Sequence, residues 1–97
     1  MIYTIDEIKT KVKSVADCYD IIEIRLFGSY FDHTPTEDSD LDFVVKYGEK
    51  CKGLTRIRFM NDLEMLLEKE VDVINIEFLP VFMNQIDLLD ERRKIYG

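Results

Sequence analysis

Hydrophobic residues along this chain recur with two periods, and the periods alternate. Ile5, Ile8, Val12 and Val15 are spaced three and four apart, the period of an amphipathic helix. Thr4 and Glu7 stand where a capping box needs an N-cap hydroxyl and an N3 carboxylate, so a first helix is expected from Ile5 to about Cys18. Ile21, Ile22, Ile24, Leu26 and Phe27 form a run that stops at Gly28, which reads as a strand. Gly28-Ser29 should open a short second helix or turn, and the acids around Thr34-Pro35 should form a loop. Leu41 to Lys46 reads as a second strand. Leu54, Ile57, Met60, Leu63 and Leu67 mark a third helix, and Val71 to Ile76 a third strand. From Pro80 a last helix is expected, with Phe82, Ile86 and Leu89 on one stripe. Arg92, Arg93 and Lys94 fall near its C-terminal end, where cations suit the helix dipole.

The predicted order is αβαβαβα, an α/β arrangement of helices packed on a small sheet. Periodicity alone leaves open whether that sheet is parallel or mixed. Ninety-seven residues suit one domain with one core, and 46% hydrophobic with 34% charged residues is the composition of a soluble globular protein. No run approaches the length that spans a bilayer. Met1 to Glu7 has neither a basic n-region nor an apolar h-region, which sets the expectation of a cytoplasmic protein. Cys18 and Cys51 have no metal-ligand spacing and read as packing thiols.

Net charge narrows the partners. At −7 the chain is a poor match for nucleic acid, whose binding comes mainly from neutralising phosphates with Lys and Arg. The charge is uneven: from Asp32 to Asp42 there are five acids and no Lys or Arg, and from Lys46 to Arg58 five bases and one acid. Such runs usually mark solvated faces. A sharper reading lets Lys46 or Lys50 meet a triphosphate.

The chemistry concentrates at the end of the first strand and the start of the second. Asp40 and Asp42 stand one residue apart at the mouth of an apolar strand, so both lean to one face with Cα atoms ~7 Å apart. Two acids aimed at one point repel unless a proton or a cation intervenes. Mg²⁺ suits such a place, since it binds through one or two carboxylates plus phosphate oxygens. Gly28 and Ser29 can offer backbone N–H groups and a hydroxyl to phosphates. Either feature alone reads as an ordinary turn or a solvated loop; together they point to metal-dependent phosphoryl or nucleotidyl transfer. A further acid, Asp72, lies inside Val71-Asp72-Val73-Ile74, where an unpaired carboxylate is costly.

The stretch Gly28-Ser29-Tyr30-Phe31-Asp32-His33-Thr34-Pro35-Thr36-Glu37-Asp38-Ser39-Asp40-Leu41-Asp42 resembles the signature of the minimal nucleotidyltransferases, small members of the DNA polymerase beta-like superfamily. Val71-Asp72-Val73 is similar to the context of that family's third carboxylate, and Ile95-Tyr96-Gly97 to a common ending. One departure stands out: where the family commonly has Ala-Arg-Gly, this chain has Phe31-Asp32-His33. The resemblance implies a nucleotidyltransferase fold with a mixed three-stranded sheet of order 1-2-3. It also implies Asp40, Asp42 and Asp72 as catalytic and metal-binding residues, Gly28 and Ser29 as nucleotide-binding residues, and ATP with Mg²⁺.

It further implies an acceptor hydroxyl, a tyrosine of a HEPN-type toxin partner for which the chain is the antitoxin. The alternative is a protein that neutralises the same partner by contact with little catalysis, and Asp32 in place of a basic residue favours it. Transfer to a small molecule such as an aminoglycoside would call for an added domain. Homo-oligomerisation stays open. His33 reads as a surface residue, and Tyr30 and Phe31 as packing residues.

Overall fold

The computed structural model describes residues 2–81 and 90–97. The capping box forms: the Glu7 amide donates to Thr4 Oγ1 at 3.1 Å and the Thr4 amide to Glu7 Oε1 at 2.9 Å. It starts α1, Ile5–Ala16, which buries Ile8, Val12 and Ala16. β1, Ile21–Phe27, leads directly into α2, Gly28–Phe31. β2 is Leu41–Tyr47, α3 is Leu54–Leu67 and β3 is Val71–Asn75. A 3₁₀ turn, Ile76–Val81, follows. A second, Glu91–Arg93, precedes a short strand β4, Lys94–Tyr96.

The sheet is mixed, with order β3-β2-β1-β4. β1 pairs antiparallel with β2, running from Ile21 opposite Tyr47 to Phe27 opposite Asp42. β2 pairs parallel with β3, and α3 is the crossover such a pair requires. Ile24, Leu26, Leu41, Phe43, Val45, Val71 and Ile95 pack with Ile8, Val12, Phe59, Leu63 and Leu67 in the main core. On the opposite face Phe27 and Val44 form a smaller cluster with Ile74 and Ile76. No helix among the described residues is long and apolar enough to cross a membrane.

One expectation needs correction. The sheet has four strands, because Lys94–Tyr96 pairs with β1 where the tail of a last helix was expected. Lys94-Ile95-Tyr96 alternates in polarity as a strand does, which buries Ile95 and carries Lys94 to within 3.8 Å of Glu23. Phe82, Ile86 and Leu89, the stripe of that expected helix, lie outside the described residues. α3 forms over the span its apolar residues mark, with Phe59, Leu63 and Leu67 buried and Leu54 and Ile57 exposed. Successive i+3 steps drift about 60° around a helix. The 54-57-60 series therefore rotates out of the core, while the i+4 series from Phe59 stays in it. Phe59 also makes edge-to-face contacts with Tyr19 and Tyr47.

Arg25 fastens the C-terminal segment to β1. It is buried, and it donates from Nε to Glu23 Oε2 at 2.8 Å and from Nη1 to the Asp90 carbonyl at 3.0 Å; Nη2 lies 3.4 Å from Glu91 Oε1. Removing one partner of a buried pair leaves the other charge stranded. Arg25→Met should therefore lower stability by about 3 kcal/mol, read as a drop in melting temperature of about 10–20 °C. Adding Glu23→Gln should recover part of that loss, since the stranded carboxylate is then gone.

Candidate active site

Leu41, Phe43 and Val45 point into the main core, so alternation along β2 sends Asp42 and Val44 to the other face. The parallel register sets Asp72 directly beside Asp42. Asp42 is half-buried and Asp72 exposed. The Asp42 carboxyl is pushed up from its ordinary 3.8 to about 6, first by burial, then by a hydrogen bond to Asp72 and the charge of Asp72, and last by the charge of Asp40. The charges that raise it are those of Asp72 and Asp40. Asp42 thus holds its proton more tightly than an isolated carboxyl does, with Asp72 as its partner. Asp40 is exposed just before β2 and joins the pair through its field. Among the described residues no three His, Cys, Asp or Glu side chains form a ready-made metal cage; two are drawn together and Asp40 stands near.

Gly28 closes the other side of this point. Phe27 lies opposite Asp42 in the antiparallel ladder, so the next residue passes the Asp42 side chain. A Cβ on Gly28 would overlap Asp42 Oδ2 and lie 3.1 Å from its Cγ. The backbone there has φ +72°, a left-handed conformation that suits glycine. Ser29 is half-buried at the start of α2, and no described residue engages its hydroxyl. The N-cap of α2, Phe27, offers no side-chain acceptor to the first amides of that turn.

The loop from Asp32 to Asp40 returns the chain to β2. Its Thr34 amide donates to the Ser29 carbonyl at 3.0 Å, and the Thr36 amide to Ser39 Oγ at 2.8 Å. Asp32 is exposed at the end of α2. His33 is exposed with φ +59°, the left-handed position that glycine fills in the resembled motif. A cleft of about 530 Å³ opens beside Asp40 and is lined by Glu37, Asp38, Glu68, Lys69 and Glu70.

Lys46 and Lys50 lie along the chain away from the acid pair. Lys46 is four residues along β2 from Asp42, some 13 Å away at the rise of a strand. The Lys50 amide donates to Asp20 Oδ2 at 2.9 Å in the loop beyond.

Arg93 reaches the Gly28 turn from the C-terminal segment. Its guanidinium lies over the Phe31 ring at 3.9 Å and the Phe27 ring at 4.3 Å, and Nη1 reaches the Leu26 carbonyl at 3.4 Å. Within Arg92-Arg93-Lys94 it looked like a helix-terminal charge; the strand-like alternation of the three residues after it was the available signal.

Residues 10–96 match the family described as Polymerase beta, Nucleotidyltransferase. Two relatives from Methanocaldococcus jannaschii carry the names "Putative protein adenylyltransferase" MJ0435 and MJ0126. The first is 37% identical over 70 residues, covering 72% of this chain and 75% of the relative. The second is 37% identical over 75 residues, covering 73% and 76%. Among solved structures, one described as a "putative minimal nucleotidyltransferase" superposes with TM-score 0.68 at 27% identity, covering 92% of this chain and 88% of that one. A toxin-antitoxin structure with AMP-PNP has TM-score 0.68 at 19% identity, covering 92% and 73%, and shares the fold. With 87 of 97 positions inside the family match, an α/β sheet of the shared fold and the acid pair set against Gly28, the chain belongs to the polymerase beta nucleotidyltransferase family.

Proposed function

We propose that residues 1–97 act as one nucleotidyltransferase domain that moves AMP from ATP to a hydroxyl of a protein partner in the cytoplasm. The acceptor in this reading is a tyrosine of a HEPN-type toxin, which the chain restrains as its antitoxin. The observation that carries the reading is the Asp42–Asp72 pair beside Gly28.

The pair fits a metal. It is an all-oxygen donor set, partly open to solvent, whose charges repel. A hard cation answers that repulsion, and Mg²⁺ needs only one or two carboxylates with substrate phosphates. Asp42 and Asp72 would hold it, with Asp40 beside them. When bound, such an ion offsets the charge that grows on the phosphate oxygens during displacement. The chain's own residues do the rest. Gly28 and Ser29 receive the phosphates through backbone N–H groups and the free hydroxyl. Asp72, exposed at the strand edge, takes the proton of the acceptor hydroxyl. The acceptor oxygen bonds to the α-phosphorus as the bond to pyrophosphate breaks.

A protein acceptor is supported by charge. The cleft at Asp40 is lined by five acids and one lysine, and Lys69 donates to the Glu37 carbonyl. That surface repels a nucleic-acid strand. The names of the two archaeal relatives also speak for protein adenylylation, and the neighbouring toxin-antitoxin structures for a toxin partner. A contact-only antitoxin is the second reading, favoured by the exposed acid at position 32.

Incubation with ATP labelled at the α-phosphate, Mg²⁺ and a co-encoded HEPN-type protein separates them. The expected result is label on a tyrosine of that protein. An unmodified partner that is bound and inhibited would support the contact reading. Label on an RNA end or an aminoglycoside would overturn the protein acceptor.

A further inference from the structure

The C-terminal segment carries a cation to the very turn that the proposed function assigns to phosphates. Asp90 caps the Glu91–Arg93 turn through the Arg92 amide at 3.1 Å. Buried Arg25 holds the Asp90 carbonyl and reaches Glu91, and β4 then pairs with β1. This framing leaves Arg93 little freedom. Its guanidinium covers Phe27, the last residue of β1, and Phe31, the last of α2, and donates to the Leu26 carbonyl. It thus grips both ends of Gly28-Ser29-Tyr30. A guanidinium holds to aromatic faces through its charge as well as its plane. It also sits within about one Debye length of Gly28.

The surroundings make that charge matter. Asp32 ends α2, Asp40 and Asp42 open β2, and Asp72 lies beside Asp42, whose carboxyl feels the charges of Asp72 and Asp40. A nucleoside triphosphate brings several negative charges more. Position 32, in the same loop, holds an acid.

We propose that Arg93 is the positioning residue for the triphosphate: it fixes the Gly28–Phe31 turn and supplies, from the C-terminal end of the chain, the permanent positive charge that the turn's own sequence lacks. The proposal rests on the reading of Gly28 and Ser29 as the phosphate turn.

Calorimetric titration of the full chain with ATP and with AMP, each with Mg²⁺, tests both. Arg93→Met should weaken ATP binding about tenfold, the size of one lost charge-assisted contact. AMP, with fewer charges, should weaken less than about twofold if the effect is electrostatic. Arg93→Lys should restore part of the preference for ATP over AMP, because it restores charge without the planar stack. Arg93→Gln, which is neutral yet keeps a donor for the Leu26 carbonyl, replaces the Met variant if that one does not fold. A folded neutral variant with wild-type ATP affinity would overturn the inference. So would equal losses for ATP and AMP, the pattern of a purely structural residue. Wild-type protein that binds neither nucleotide would overturn the phosphate reading together with this one.

Discussion

Asp42→Asn should abolish nucleotide transfer and yet make the metal-free protein more stable. The two effects have one cause. Asp42 is partly buried beside Asp72 and within the field of Asp40, and its carboxyl is raised to about 6. A group whose native pKa lies above its unfolded value binds protons more tightly in the folded state. Its favourable contribution is complete below about pH 4 and is lost as pH rises through about 6. At pH 7.5 the folded chain therefore carries an unrelieved repulsion. Asparagine removes it, for a gain on the order of 1 kcal/mol after solvent screening, or about 4–8 °C in melting temperature. The same change removes a carboxylate that would hold the metal, for a loss in rate of about 10³-fold or more. Melting curves from pH 4 to 8 check the first half: the wild type should lose stability across that range more steeply than the variant. Added Mg²⁺ should raise the melting temperature of the wild type and leave Asp42→Asn nearly unmoved, since a ligand stabilises only the form that binds it.

Gly28→Ala should be nearly as severe for activity, by geometry instead of charge. The added methyl would occupy the space of Asp42 Oδ2, with Asp42 Cγ 3.1 Å and Cβ 3.4 Å away. These are atoms of a side chain held in a strand, so either the carboxylate or the turn must move. The positive φ adds a cost of about 1–2 kcal/mol for a residue with a Cβ. A shift of about 1 Å in a reacting constellation can cost about 10²-fold in rate. Activity should fall by about that factor while circular dichroism still reports the folded sheet, and the melting temperature should drop by about 5–15 °C. A Gly28→Ala protein with wild-type rate would mean that the turn and Asp42 do not share a site.

Much of this arrangement is written in local pattern. The capping box at Thr4, the apolar run that stops at Gly28 and the two later strands all read correctly because each signal lies within a few residues. The Asp42 and Asp72 partnership was suggested by the family motif, and the parallel register then sets them side by side. What sequence could not supply was long-range. β4 is three residues long and owes its existence to the free edge of β1, a partner about seventy residues away. Arg93 acquires its place through that pairing and through the contacts of Asp90 and Arg25 that frame its turn. The contacts of Phe59 with Tyr19 and Tyr47 are likewise long-range, and no helical period encodes them. The left-handed backbone at His33 is likewise visible only in the fold.

The most direct measurement is a crystal structure of the chain grown with Mn²⁺ and AMP-PNP, with the metal located by anomalous scattering. The expected result is a metal peak between Asp42 and Asp72 with the phosphates against Gly28 and Ser29. A metal and nucleotide bound elsewhere, with Asp42 and Asp72 still hydrogen-bonded to each other, would contradict it.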